Sequence, residues 1–536
     1  MSEPETLPDL LHAMASHAPA EVVLVENQSE TTFAELDRRS SALAAGLFEC
    51  GISQGDRVAV WLPNRADWLV SMFALAKLRA VCVAVNTRFR AAEVEDIVGR
   101  ARCTALIFEL GFRSIDFAGI LHEVDAAALG SLKLIVTTGT KGDANTVPHA
   151  RTVEMETLLD ASPVSLPRAA ADDPVMVFTT SGTTSKPKFV LHTQASLAVH
   201  GRQVAQAFDY VSPDTVLLQA LPYCGTFGLA QAMAGIAAGR PSIAMPVFDA
   251  TEAARLIAHH KVTSFNGSDD MLSRICDAAG PGAFQSLKWC GFAAFTNARL
   301  EDFVTTCEAR GIRAVGLYGM SEVQALYARQ RVEAAPDERC MAGGVLASPQ
   351  ACVEVRDPET GIALPTRQSG ELYLKGPSRL LEYMDDPQAT AHGINADGFV
   401  RSGDLGYLCD DGRFIFETRM GDGLRLGGFL VNPAEIDAWL ERHPAVAGCQ
   451  TVGAQLEERT YAVSFVISEH GSEFDEAGLT DHCRQGLAKF KVPRRIFALD
   501  RFPTTDGPNG EKIQRSRLRE MAEEKINIHV PKVAPE

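Results

Sequence analysis

Apolar positions recur at helical spacing in one stretch of the chain and run unbroken in the next, an alternation that predicts α/β architecture. Thr32-Phe-Ala-Glu35 has the spacing of a capping box that opens a helix. The apolar positions after it, Leu36, Leu43, Leu47 and Phe48, are assigned to its buried face, and Gly51 stands where such a helix stops. Residues 57–62 then read as a strand, a helix follows from about Trp68, and residues 81–85 read as a second strand. Residues 175–178 and 314–318 are short apolar runs bounded by turn signals, the pattern of buried strands. No internal repeat or long low-complexity tract is present, which excludes a solenoid.

The pattern changes at the glycine-dense segment 401–429. Beyond it come a helix at 434–442, two strand-like runs, a helix ending near Phe490 and a strand at 495–499. The chain therefore divides into a large N-terminal region, residues 1–420, and a small α+β domain, residues 421–536. The turn-rich segment 503–520 is expected on the small domain's surface.

Charge and cysteine usage narrow the partners. Among 536 residues, 51 Lys and Arg stand against 68 Asp and Glu, a net charge of −17. That sign argues against nucleic acid or an anionic membrane surface, both of which reward clustered cations. Twelve cysteines are scattered singly, without the paired spacing of a structural zinc site or a disulfide framework. The acidic start of the chain lacks the order of a secretory leader. The most apolar stretch, residues 68–85, contains Lys77 and Arg79 and is too short and too charged to span a bilayer. A cytoplasmic protein without an integral membrane segment is expected.

The strongest chemical signal is Thr179-Thr-Ser-Gly-Thr-Thr-Ser-Lys-Pro-Lys188. Every residue from 179 to 185 carries a hydroxyl except Gly182, so the segment offers hydroxyl and backbone N–H donors suited to phosphate oxygens. Pro187 removes it from the Walker A pattern. Other residues have two readings by type. Glu322 is a hard oxygen ligand of the kind Mg²⁺ takes, or a surface glutamate. Tyr318 is an aromatic platform or a core side chain. Asp404 is an acceptor for a diol or a turn aspartate, and Arg419 a phosphate contact or a solvated strand-end cation.

Taken in order, these segments resemble the adenylate-forming superfamily, which includes acyl-CoA synthetases, firefly luciferase and peptide-synthetase adenylation domains. Tyr318-Gly-Met-Ser-Glu322, Ser402-Gly-Asp-Leu-Gly406, Arg419 with Gly427-Gly428 and Pro433-Ala-Glu-Ile436, Lys489-Phe-Lys-Val-Pro493 and Gly510-Glu-Lys512 carry the likeness over about residues 30–520. The resemblance implies a multi-subdomain N-terminal region, with mixed sheets sandwiched by helices, and a mobile C-terminal domain that rotates at Gly421. It implies an acyl-CoA synthetase that uses ATP, Mg²⁺ and coenzyme A as co-substrate, makes an acyl-adenylate and then a thioester, and commonly works as a homodimer. Alternatives from the same resemblance are loading of a separate carrier protein and a non-catalytic nucleotide-binding relative.

Residue by residue, the resemblance makes Lys512, Glu322, Ser321 and Thr183 catalytic, with Glu322 on the metal. It places Thr180, Ser181, Gly182, Thr183, Thr184 and Lys188 on the phosphates. Ala294, Phe295, Tyr318, Gly319, Ser321, Asp404 and Arg419 would surround the rest of the nucleotide, and Gly427 and Gly428 the pantetheine arm. Tyr223, Cys224, Phe227, Phe265, Gly267, Ala293, Gly316 and Met320 would line the acid's pocket. These eight include no Arg or Lys, so an apolar fatty, aryl or alicyclic acid is expected.

Overall fold

The computed structural model describes residues 5–528 apart from 113–114, 140–146, 181–186, 281, 296–298, 421–423, 427–428, 432, 457–458, 488–490 and 508–509. The N-cap half of the expected capping box forms: Thr32 accepts the Glu35 N–H at the start of helix Phe33–Glu49. Leu36, Leu43 and Leu47 are buried, but Phe48 is 48% exposed. One residue beyond Leu47 is a turn of about 100° around the helix, which carries position 48 off the buried face.

The apolar stretch that follows becomes helix Ala66–Leu78, buried at every position except Lys77. Such a helix has no polar face because protein covers it on all sides. Its two cations are neutralised locally. Lys77 donates to Asp37 Oδ1 at 2.6 Å and to the hydroxyls of Ser40 and Ser41 at 2.8 Å. Arg79 grips Asp173 with two bonds of 2.6 and 2.7 Å. Among the described residues no helix is long and apolar enough to cross a membrane.

Two large sheets build the N-terminal region. One orders Pro174–Thr179, Val81–Ala84, Arg57–Trp61, Ala105–Leu110, Leu134–Gly139 and Arg151–Glu154 as parallel neighbours. Phe189–Thr193 and the short Glu382–Tyr383 extend it antiparallel beyond Pro174–Thr179. The other has a parallel block of Val22–Glu26, Ser242–Ala244, Leu217–Gln219, Ser264–Ser268, Trp289–Ala293 and Ala314–Met320. At Ala314–Met320 it switches to antiparallel pairing and continues through Gln324–Arg329, Gly343–Leu346, Phe414–Arg419, Val400–Leu408, Gly370–Lys375 and Cys352–Arg356. Helix Gln194–Ala207 lies between the sheets, touching Phe189–Thr193 on one and Gln324–Arg329 on the other. The mixed, helix-sandwiched architecture agrees with expectation.

The C-terminal unit pairs Val446–Leu456, Arg459–Ser468 and Arg495–Ala498 in one sheet, with helices Pro433–Leu440 and Glu476–Gly486 beside it. The turn-rich segment 503–520 forms a hairpin, Thr504–Gly507 with Gly510–Ile513, and the start of helix Arg515–Ile528, with Leu518 alone buried among its described side chains. Leu518, Ala522 and Ile526, four residues apart, are buried against Val452, Ala454, Val463 and Phe465. This apolar stripe anchors the hairpin's C-terminal end.

Candidate active site

The switch from parallel to antiparallel pairing builds the first part of the site. After Ala314–Met320 the chain reverses through a single 3₁₀ turn, Ser321–Val323, so that Met320 pairs with Gln324. The turn draws Glu322 inward, to 8% exposure. His192 Nε2 lies 2.8 Å from Ser321 O, Leu380 N–H donates to Glu322 O at 2.7 Å, and the Tyr383 hydroxyl donates to Glu322 Oε1 at 2.9 Å. Burial lowers the His192 pKa to about 4, so its ring is neutral at pH 7 and carries its proton on Nε2, facing the carbonyl. Burial, then the Glu322 charge, raises the Tyr383 hydroxyl above its usual range and keeps it a donor. Gln324 follows at φ 63° and ψ 158°, a conformation that only glycine adopts without strain. Its side-chain amide on Ser196 O, at 2.7 Å, helps hold it there.

The neighbouring strands supply a second group. Antiparallel register places Asp404 opposite Arg419. Asp404 is 3% exposed and its Oδ2 accepts the Tyr318 hydroxyl at 2.7 Å. Oδ1 lies 3.0 Å from Arg419 Nε but makes no hydrogen bond, so the two are paired by charge without N–H alignment. Burial raises the Asp404 pKa, and Arg419 and then the Tyr318 hydroxyl pull it back. The Tyr318 ring stands edge-on to Phe414 at 5.1 Å, so its aromatic body is packed in the core. Gly319 is exposed, and a Cβ there would come within 2.6 Å of the Ala325 backbone. The Arg419 side chain is 60% exposed.

Of the hydroxyl-rich segment, Thr179, Thr180, Pro187 and Lys188 are described. Thr180 N–H donates to Lys188 O at 3.0 Å, and the Lys188 ammonium lies 4.8 Å from the Tyr383 ring centroid. Ser181, Gly182, Thr183 and Thr184 lie outside the described residues, as do Gly421, Gly427 and Gly428. Ala294 is exposed, and Phe295 is held by its N–H to Asp269 Oδ1 at 3.0 Å.

Lys512 arrives from the C-terminal hairpin, opposite Thr505 in register. Its ammonium lies 4.4 Å from the Phe295 ring centroid. Burial, then the positive charge of Arg419, lowers the Lys512 pKa. Glu511 is exposed and Lys512 is not. Arg299 makes a second link between the two units, donating through Nη2 to Glu441 O at 2.8 Å and Val446 O at 2.6 Å.

Of the eight residues expected around an acid, parallel register sets Gly267, Ala293 and Gly316 close together near the ends of three adjacent strands. Tyr223 and Phe265 are buried in different core clusters. Phe227 is buried on helix Thr226–Ala238, and burial raises the Cys224 thiol to about 12. Gly267 and Gly316 accommodate close packing: a Cβ would come within 2.9 Å of Leu272 Cδ1 at the first and 2.0 Å of Met341 O at the second. Ala293 and Met320 are half-buried near the strand ends. A cavity of about 820 Å³ lies elsewhere, lined by Glu26, Arg39, Arg65, Asp67 and Thr138 among others, and none of the expected site residues borders it.

Sequence reasoning missed Tyr383, His192, Asp269 and Arg299. Each acts on a residue far away in the chain, and only Asp269-Asp270 carried a local sign, the acidic start of helix Asp269–Ala278. Together the strand ends hold a buried carboxylate, a partly hydrogen-bonded aspartate and two converging cations. That arrangement suits an anionic ligand carrying a diol.

Comparison with known proteins accords with this chemistry. The family of AMP-binding enzymes matches residues 11–384, and the C-terminal domain of AMP-binding enzymes matches residues 435–507. The chain belongs to the AMP-binding enzyme family, within the adenylate-forming superfamily. It is 29% identical over 530 residues to the 3-[(3aS,4S,7aS)-7a-methyl-1,5-dioxo-octahydro-1H-inden-4-yl]propanoyl:CoA ligase of Mycobacterium tuberculosis, covering 96% of this chain and 99% of the relative. The 2-succinylbenzoate–CoA ligase of Geobacillus kaustophilus is 29% identical over 520 residues, with 96% and 98% covered. Among solved structures, ATP-bound MatB from Rhodopseudomonas palustris has the same fold, with a TM-score of 0.83 at 24% identity and 97% and 99% coverage.

Proposed function

We propose that the protein is an ATP-dependent carboxylic acid:CoA ligase. In its first half-reaction a carboxylate oxygen attacks the α-phosphorus of ATP, the bond to the β-phosphate breaks, and pyrophosphate leaves. In the second, the CoA sulfur attacks the acyl carbon of the adenylate, its proton passes to solvent, and AMP leaves with the bonding electrons. The observation that carries this reading is the position of Lys512, seated on Phe295 and close enough to Arg419 to feel its charge.

The first step needs no general base, because a carboxylic acid is already ionised at neutral pH. It needs positioning and a counter-charge where the α-phosphate becomes more negative. Lys512 supplies that charge, a contribution typically worth about 2.7–4 kcal/mol to a transition state. Asp404 accepts the ribose hydroxyls, with its carboxylate aligned by Tyr318. Arg419, Thr180, Ser181, Gly182, Thr183, Thr184, Ser321 and Lys188 hold the phosphates, and Ala294, Phe295 and Gly319 border the nucleotide. Glu322 suits Mg²⁺ because it is a buried carboxylate, a hard oxygen ligand. The ion would take its other ligands from phosphates and water, and would neutralise triphosphate charge.

The C-terminal unit, residues 421–536, then turns about Gly421, withdraws Lys512 and brings Gly427 and Gly428 towards the pantetheine arm. The acid is apolar, in keeping with Phe227, Ala293 and Met320, and an alicyclic or aryl acid accords with the names of the two relatives. A cytoplasmic homodimer completes the proposal, and sedimentation of the pure protein reads its oligomeric part.

The test supplies ATP, Mg²⁺ and a panel of fatty, aryl and alicyclic acids, with and without CoA, and follows pyrophosphate and AMP. Acid-dependent pyrophosphate release and CoA-dependent AMP release support the reading. Pyrophosphate release indifferent to every acid contradicts it, and AMP release indifferent to CoA points to a carrier protein as acceptor.

A further inference from the structure

The segment after strand Trp289–Ala293 touches the C-terminal unit at two places through two side chains. Phe295 lies under the Lys512 ammonium, its centroid 4.4 Å from Nζ. Arg299, just before helix Leu300–Ala309, donates to Glu441 O and Val446 O at 2.8 and 2.6 Å. These carbonyls lie at the end of the first C-terminal helix and the start of the first strand of its sheet, far in the chain from Lys512. The seat is itself fixed from below. Phe295 N–H is bound to Asp269, which is fully buried at the start of helix Asp269–Ala278, and that helix touches the Lys512 hairpin.

We propose that Phe295 and Arg299 are positioning residues that hold the C-terminal unit in the arrangement competent for the first half-reaction, Phe295 by receiving the Lys512 ammonium on its ring and Arg299 by clasping the unit's backbone. The proposal rests on the ligase reading above and adds what selects between its two arrangements. A contact made in one arrangement and lost in the other shifts their populations by its own free energy. An ammonium over an aromatic face is worth most where water is excluded, and Lys512 is largely buried there. The Arg299 bonds are charge-assisted and accepted by main-chain oxygens, so they act whatever side chains surround them. Both contacts break when Lys512 withdraws, so they favour adenylation and oppose thioester formation.

Two measurements test the seat. Arg299→Ala is expected to slow acid-dependent pyrophosphate exchange about tenfold, while thioester formation from synthetic acyl-adenylate and CoA is unchanged or faster. Equal loss in both half-reactions, or no loss in either, overturns the proposal. The second measurement is independent of activity. Acylation of lysines by a water-soluble ester at alkaline pH, read by mass spectrometry, should label Lys512 several-fold faster in Phe295→Leu and in Arg299→Ala. Phe295→Tyr, which retains the ring, should restore protection. Unchanged labelling of Lys512 in both variants overturns the seat even if the protein activates no acid. A wild-type protein that exchanges no pyrophosphate, yet shows the expected labelling, overturns the ligase reading alone.

Discussion

Removing one oxygen atom by Tyr318→Phe tests the ribose side of the site with little change in packing. The hydroxyl donates to Asp404 Oδ2 at 2.7 Å, and the two residues are 6% and 3% exposed. A hydrogen bond to a buried charged group contributes about 1.5–3 kcal/mol, and the missing oxygen leaves a space too small for water. The expected loss is therefore about 2 kcal/mol while Asp404 is ionised. Burial already raises the Asp404 pKa above that of the unfolded chain, and the variant raises it further by removing a bond that favours the carboxylate. A carboxyl raised in this way contributes most stability below its unfolded pKa and loses it as pH rises through the folded value. The deficit of Tyr318→Phe should thus be larger at about pH 8, where the carboxyl is ionised, than at low pH, where it is protonated. Urea denaturation at both values measures it, and a double-mutant cycle with Asp404→Asn isolates the pair. The apparent affinity for ATP should fall in parallel. A deficit below about 0.5 kcal/mol at the higher pH, or one independent of pH, would refute the reasoning.

Two further outcomes follow from burial and close packing. Asp437 and Glu441 in the C-terminal unit are raised by burial to about 6 and about 7, so the fold favours their neutral forms. Their stabilising contribution is complete below about pH 4 and is lost as pH rises through about 6 and 7. Calorimetry should show the unit melting lower at about pH 8 than at about pH 5, and Asp437→Asn with Glu441→Gln should flatten that dependence; a flat wild-type profile contradicts it. Gly316→Ala places a Cβ 2.0 Å from the main-chain oxygen of Met341, which no rotamer change relieves. A loss of about 1–3 kcal/mol is expected, whereas Gly280→Ala, with nothing within 4 Å, should change stability little; equal behaviour of the two in thermal melts contradicts the packing.

Much of the fold was legible because its signals are local. The N-cap at Thr32, the strand at Ala314–Met320 and the paired elements after residue 430 follow from periodicity and turn chemistry. Helix Ala66–Leu78 lacked a polar face to declare its orientation, since protein surrounds it. The turn-rich segment 503–520 lies at the surface as its Pro503, Gly507 and Gly510 suggest, but the stripe of Leu518, Ala522 and Ile526 that anchors it falls mostly beyond those signals. At the site, the residue types of Glu322, Asp404, Arg419 and Lys512 were visible, but what each one touches was not. Glu322 is bound by Leu380 and Tyr383, and its neighbour Ser321 by His192, which only the sheet order brings near. Likewise Phe295 and Lys512, more than 200 positions apart, meet only because one unit rests on the other.

Separating the half-reactions of Lys512→Ala tests the central claim most directly. Acid-dependent pyrophosphate exchange should fall by about 10²–10³, the effect of removing one transition-state donor. Thioester formation from synthetic acyl-adenylate and CoA should persist near the wild-type rate, because Lys512 has withdrawn by then. Equal loss of both steps, or unimpaired exchange, would contradict the account.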